Sequence, residues 1–565
     1  MSPAGWAEPW RSPTPTPERL SPLLDCCRIG PGPVYGLAWL NRLVGHRFIQ
    51  PNLPPAALPS FPCGTVLRWF LPLLLFSLFG CTVGPDYVRP QVDSPETWRV
   101  DYTAAASVSN LRWWEQFQDP VLDQLIDTAL KQNKDVRIAA ARVLEFAARV
   151  DIFRSGFFPQ IGYQGDVSRN RASREVFGGV SSGDRTYNNY AAAANLGWEL
   201  DLWGRIRRAT EAARADLLAE EENRRSVILS LVSAVATSYV TLRQLDRQLE
   251  VSRETLESRA ESLRLFEVKL KGGVVSELEV AQVRTEYEQA AAAIPAIERN
   301  IALTENALSI LLGRNPGAIP RGKTIDQLIQ PPVPDGVPST LLARRPDIRA
   351  AEQNLIAANA RIGVARAQYF PTISLTGLFG YASEQLGDLL QGSANLWSAG
   401  GEALGPIFTG GAISGQVRAS EAVQRQALVG YLQTVQTAFR EVDDALVNVQ
   451  KSREQLAAEG RRVAALAEYA RLAKLRYDEG YASYIEVLDA QRFLFDAELQ
   501  YVAVQGDVYA SLIGTYKALG GGWIIAAQRS ADQVDFPPAA PDSEPRFDFP
   551  APTRSGGTEG VSGYR

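Results

Sequence analysis

Two periods of apolar and polar residues alternate along this chain, and each occurs twice. Starting at Ile228, every seventh residue is apolar: Val235, Leu242, Leu249, Leu256, Leu263 and Leu270. The same phase returns at Val435, Val442, Val449, Leu456, Val463, Ala470 and Tyr477. The residues between are mostly Glu, Arg, Gln and Ser. A seven-residue repeat held this long predicts helices that supercoil against neighbours. They are expected over residues 204–270 and 412–477; about 65 residues at roughly 1.5 Å each makes either one on the order of 100 Å long. Gly272-Gly273 and Glu479-Gly480 stop them, and second helices are expected over 276–313 and 483–519.

The other period is two. Ile161, Tyr163, Gly165 and Val167 alternate with Gln160, Gly162, Gln164 and Asp166. Tyr190, Ala192, Ala194, Leu196, Trp198 and Leu200 alternate with a small and polar set from Asn189 to Asp201. Ile373, Leu375, Gly377, Phe379 and Tyr381 alternate with Thr372, Ser374, Thr376, Leu378 and Gly380, and residues 395–408 form a weaker, Gly-rich fourth strand. Strands of about 9–14 residues with one apolar face fit a transmembrane barrel. Ile161, Tyr163, Leu196, Trp198, Ile373, Leu375 and Phe379 are then the lipid-facing positions. A half-buried soluble sheet shows the same alternation; the Ser-, Gly- and Asp-rich loops beside these strands favour the barrel. Phe-Pro at 158–159 and 370–371 ends each preceding helix and opens each strand. Four strands cannot close a barrel, and lipid tolerates no unpaired edge, so symmetric copies are required. Three copies give twelve strands and a pore; two give eight, a barrel filled by its own side chains.

The pairing of periods reflects a duplication. Residues 131–165 and 343–377 align without gaps at an offset of 212, with identities including Asp135/Asp347, Arg149/Arg361, Phe158/Phe370 and Pro159/Pro371. Farther on the offset is 207: Gly273, Ser276, Glu279 and Val280 match Gly480, Ser483, Glu486 and Val487. The unit is too long for a solenoid repeat.

Composition narrows the function. The chain has 565 residues, a formal charge of −5, 45% apolar and 21% charged residues, which argues against disorder and gives no basic footprint for nucleic acid. Its cysteines are Cys26, Cys27, Cys63 and Cys81, its histidine is His46 and its methionine is Met1. Beyond Gly80 there is one Cys and neither His nor Met, which excludes disulfide frameworks, Cys/His zinc sites and His-based triads from that part. The reading is of a protein that is not an enzyme and takes no cofactor. Gly-rich runs such as the one before Trp523 lack the context of a phosphate loop.

Residues 1–65 are Pro-rich without sustained period and read as an extension or an upstream start codon. Residues 66–80, one arginine followed by an apolar run, suit a signal peptide and are too short to span a bilayer. Leu78-Phe79-Gly80-Cys81 resembles a lipobox, which makes Cys81 the lipidated first residue. From Cys81 to Pro90 the sequence resembles the start of OprM/NodT-type outer-membrane efflux lipoproteins, relatives of TolC. The resemblance extends over 81–523 and includes residues 436–446, 471–492 and 517–523.

The resemblance implies a homotrimer with a twelve-stranded outer-membrane β-barrel, four strands per chain, continuing into a long α-helical coiled-coil periplasmic tunnel. It also implies a periplasmic adaptor (membrane fusion) protein and an inner-membrane RND transporter as partners, with drugs, metals or other small molecules conducted passively. The expected layout is a lipidated arm (81–118), a first repeat (119–313), a linker (314–340), a second repeat (341–523) and a disordered tail (524–565). A gate is expected at the tunnel's periplasmic end. Asp443 and Asp444, near mid-length of the long helix and far from the strands, beside the seam positions Val442 and Val449 and near Arg440 and Glu441, resemble the carboxylate ring of TolC-like apertures. Arg344-Arg345-Pro346-Asp347 reads as a helix start. Alternatives are the exit duct of a type I protein secretion system and, in another class, a lipid-anchored periplasmic coiled-coil scaffold without a pore.

Overall fold

The four stretches of period two pair as one antiparallel sheet in the order β1-β2-β3-β4, with β1 Gln160–Arg171, β2 Thr186–Leu200, β3 Thr372–Ser383 and β4 Asn395–Leu404. The computed structural model describes residues 82–95, 97–100, 112–171, 186–333, 338–521 and 523–532. The chain divides into two units at Trp69–Phe70, and the described residues all belong to the second. The expected extension 1–65, the signal segment 66–80, Cys81 and the chain after Asp532 lie outside the described residues. β4 stops at Leu404 rather than 408, because Leu404 already faces Thr372, the first residue of β3, and Pro371 before it has no N–H to extend the ladder.

The helices are α1 (Pro120–Gln132), α2 (Lys134–Ser155), α3 (Arg205–Lys271), α4 (Glu277–Leu311), α5 (Pro338–Arg344), α6 (Pro346–Ala367), α7 (Ala412–Asp478), α8 (Tyr484–Leu519) and α9 (Trp523–Asp532). Local chemistry fixes their ends. The Asn133 side chain accepts from the Asp135 and Val136 amides at 2.8 and 3.1 Å and starts α2. α2 and α6 each end a few residues before their Phe-Pro pair. Ser276 and Glu279 form a capping box on α4. Gly273 and Gly480, at φ 71° and 75°, make the left-handed turns that reverse the chain after α3 and α7.

Packing follows the heptads. Nearest the sheet, α2 lies beside α3, α3 beside α6, and α6 beside α7; farther away α4 lies beside α3, α3 beside α8, and α8 beside α7. The result is a wall one helix thick. One edge is α2 and α4, on the β1 side; the other is α7, on the β4 side. Ile228, Val235 and Leu242 of α3 and Val435, Val442 and Val449 of α7 are fully buried in the seams, while Leu256, Leu263 and Leu270 are half-buried. α3 is apolar enough to cross a membrane by composition, but more than half of that stretch packs inside the protein.

The largest core lies at the middle of the wall. Trp113 stacks on Tyr516 at 5.2 Å between ring centroids, and Trp114 meets Trp523 edge-on at 5.5 Å. This core takes in parts of three segments expected to lie outside the repeats. Trp113, Trp114 and Phe117 belong to it rather than to an arm. Ile319, Ile325 and Leu328 of the linker are buried in it. The region from 524 opens as a helix, α9, whose Ile524, Ala527 and Ala531 are buried there.

Candidate channel wall

The strand registers put every expected apolar position on one face. Ile161 lies opposite Leu196, which lies opposite Gly377, which lies opposite Ala399. One row along, Tyr163, Ala194, Phe379 and Trp397 are aligned; in the other direction Trp198 pairs Leu375, and Leu200 pairs Ile373. Directly opposed residues share a face. This face is bare: Ile161, Tyr163 and Phe379 are 76%, 89% and 57% exposed. The opposite face carries Gln160, Gly162, Gln164, Asp166, Asn189, Asn195 and Thr376, and Asn189 donates to the Asp166 carboxylate at 2.9 Å. Aromatic side chains mark both ends of the apolar band. At the helix end Trp203 donates its indole N–H to the Pro371 carbonyl at 2.7 Å and stacks on Phe370 at 4.6 Å. At the other end stand Tyr381 and Trp397.

The junction from sheet to helix is held by charge. Arg205 makes two hydrogen bonds to the Glu199 carboxylate, at 3.0 and 2.6 Å. The Asp201 carboxylate accepts from the Ile206 and Arg207 amides, capping α3 where Gly204 supplies no side chain. A strap of residues 82–95 and 97–100 then runs down the helices. The Asn359 amide donates to the Pro85 carbonyl, Asp86 pairs with buried Arg208 at 2.6 Å, and Tyr87 donates to Glu352 at 3.1 Å.

The strap reaches the gate candidates and divides them. The Arg99 amide donates to Asp443 at 3.1 Å. Glu441 accepts from buried Arg345 at 2.7 Å; the same guanidinium holds both Asp347 oxygens and donates to the Ala518 carbonyl at 2.9 Å. Arg345 therefore ties α6, α7 and the end of α8 together, more than the helix start read from its motif. Arg440 and Asp444 remain as an exposed pair 3.9 Å apart. Asp444 borders an open groove of about 620 Å³ between α7 and α8, with Glu441, Lys451, Asp507 and Lys517 also on its rim. The mid-length place of the four on the long helix is the expected one, but that height is not the far end of the wall, where the gate is expected. They sit at the middle of α7, about 50 Å at 1.5 Å per residue from the turn at Glu479–Gly480.

At that far end the two helical hairpins meet through Phe266 and Tyr484, 4.2 Å apart, with Val280 and Val487 beneath. Above them Arg259 is buried between α3, α4 and α8: it lies 3.3 Å from Glu286, donates to the Glu286 carbonyl at 2.5 Å and covers the Phe495 ring. Burial pushes the Glu286 carboxyl up and the Arg259 guanidinium down. The sequence reading missed this pair. Its signal was a charged residue three after Leu256, at the second apolar position of the heptad. Among the described residues no three of His, Cys, Asp and Glu come together as a metal-binding set.

A sheet bare on its apolar face and open at both edges, continuing into a wall of long helices, defines a class: the subunit of an outer-membrane barrel extended by a helical tunnel. The sequence matches the outer membrane efflux protein family over residues 125–314 and 337–521. It is 38% identical over 463 residues to the solvent efflux pump outer membrane protein SrpC of Pseudomonas putida, covering 80% of this chain and 97% of that one. It is 35% identical over 453 residues to the cation efflux system protein CusC of Escherichia coli, covering 79% and 97%. The fold matches the open state of the Neisseria gonorrhoeae MtrE outer membrane channel with a TM-score of 0.72 at 31% identity, covering 78% of this chain and 99% of that one. The chain belongs to the outer membrane efflux protein family. It is an outer-membrane channel component of an efflux system.

Proposed function

We propose that three copies close a twelve-stranded barrel and serve as the passive outer duct of a tripartite pump. The face of Ile161, Tyr163, Leu196, Trp198, Ile373, Leu375 and Phe379 meets lipid, and the face of Gln164 and Thr376 lines the pore. The observation that carries this reading is the run of aligned, exposed apolar side chains across all four strands, continuous with a helical wall. The energy comes from an inner-membrane RND transporter, joined through a periplasmic adaptor. Relatives named for solvents and for cations resemble this chain about equally, which favours a duct that passes small molecules and leaves selection to the pump. Cys81 carries the lipid anchor and starts the mature chain, and Asp443 and Asp444 narrow the tunnel at mid-height.

A deletion strain should accumulate a lipophilic export substrate and recover on complementation. The protein extracted from the complemented membrane should have the mass of residues 81–565 plus acyl chains. Unchanged accumulation on deletion would contradict the duct, and a mature chain retaining residues 1–65 would contradict the anchor.

A further inference from the structure

The duplication is kept in the folded chain, to the residue in two helix pairs and one strand pair. α2 and α6 have 22 residues each, β1 and β3 have 12 each, and both pairs start 212 residues apart, at Lys134 and Pro346 and at Gln160 and Thr372. α3 and α7 have 67 residues each and start 207 apart, at Arg205 and Ala412. β2 and β4 share little sequence, yet the registers relate them by the same 207. The pair Gly165–Ala192 of β1 and β2 becomes Gly377–Ala399 of β3 and β4, and Tyr163–Ala194 becomes Leu375–Gly401.

Within one chain β1 borders β2, β2 borders β3 and β3 borders β4. The structure repeats β1–β2 as β3–β4. The pairing β2–β3 has no second instance in the chain, because β4 has no following neighbour. The counterpart of β3 in the first half is β1, which is also unpaired on its outer side. If the barrel closes as proposed above, β4 of one copy meets β1 of the next.

We propose that this seam repeats the β2–β3 register. Tyr190–Ser383 then becomes Trp397 with Arg171 of the next copy, Ala192–Tyr381 becomes Ala399 with Arg169, and Ala194–Phe379 becomes Gly401 with Val167. Side-chain size supports this register: Ala399 and Gly401 each receive a larger partner, and Trp397, 71% exposed, receives the Arg171 guanidinium over its ring. Neither Arg169 nor Arg171 has an ion pair among the described residues. Just beyond β4 the same relation carries Leu200–Ile373 to Ile407 with Ile161. These two bare side chains, 104% and 76% exposed, would cover each other. A slip of one residue would turn the Trp397 ring to the polar face. A slip of two keeps the faces but moves Arg171 away from Trp397.

The test is disulfide trapping in membranes. Directly opposed residues have Cβ atoms about 4.5–5.5 Å apart and can be bridged after small shifts, whereas diagonal ones at roughly 7–8 Å are out of range. The double variant Ala399→Cys with Arg169→Cys should give, on oxidation, a ladder ending at the trimer that collapses on reduction. Each single variant should match the parent. The shifted pairs, Ala399→Cys with Val167→Cys and Gly401→Cys with Arg169→Cys, should cross-link at least tenfold less. If the first pair does not insert, Gly401→Cys with Val167→Cys serves as a second in-register pair. Preferential trapping of a shifted pair in an intact trimer overturns the register and leaves the barrel reading standing. A parent that forms no trimer, with no pair trapped, removes the barrel reading itself.

Discussion

A single side chain in the sheet has two very different surroundings one position apart. Leu375 lies on the bare apolar face between Trp198 and Gly401, and Thr376 lies on the other face between Gly197 and Gly400. With lipid outside and water inside, Leu375→Arg or Leu196→Arg should each cost roughly 2–4 kcal/mol, the range for a cation on the lipid face toward mid-bilayer. Thr376→Arg should leave stability nearly unchanged and lower conductance. Urea unfolding of the barrel in lipid vesicles checks the first, and equal tolerance at both positions would mean the sheet does not face lipid. At this scale the strand faces were legible because period two assigns a face from neighbours alone. Arg345 was not, because Glu441 and the Ala518 carbonyl, 96 and 173 positions away, give its buried guanidinium its role. The pair Arg259–Glu286 was legible in principle, as a charge in a heptad core position.

Among the elements, the long helices were readable almost to their ends, because seven-residue repeats and glycine stops are local signals. The weaker elements were not. α9 follows a glycine run and precedes a Pro-rich stretch, so composition hid a ten-residue helix that is held by Trp523 packing against Trp113 and Trp114. The mid-length place of the acidic pair on α7 followed from the expected helix span, since residues 443 and 444 lie halfway along 412–477. What needed the structure was the set of contacts the pair makes there. At mid-length, Asp443 accepts from the strap and Asp444 pairs weakly with Arg440 on an exposed surface, an arrangement worth about 0–1 kcal/mol. Asp444 therefore carries the constriction reading more than Asp443. The double variant Asp443→Ala with Asp444→Ala should raise single-channel conductance and weaken block by multivalent cations, with little loss of stability. Unchanged conductance and unchanged block would leave both as wall charge.

In the whole molecule, sheet and helices share one logic: each half supplies a strand pair and two long helices, and both edges of the resulting wall are open. Lipid tolerates no open sheet edge, so the chain is incomplete by itself. The central claim is that copies of this chain enclose a continuous water-filled path. Conductance across a planar bilayer, measured on detergent-purified protein, tests it most directly. The account predicts discrete, uniform conductance steps from the trimer fraction and none from the monomer. Intact trimers that bind the bilayer without conducting, with Asp443 and Asp444 wild-type or replaced by Ala, would contradict it and leave a membrane-anchored scaffold in its place.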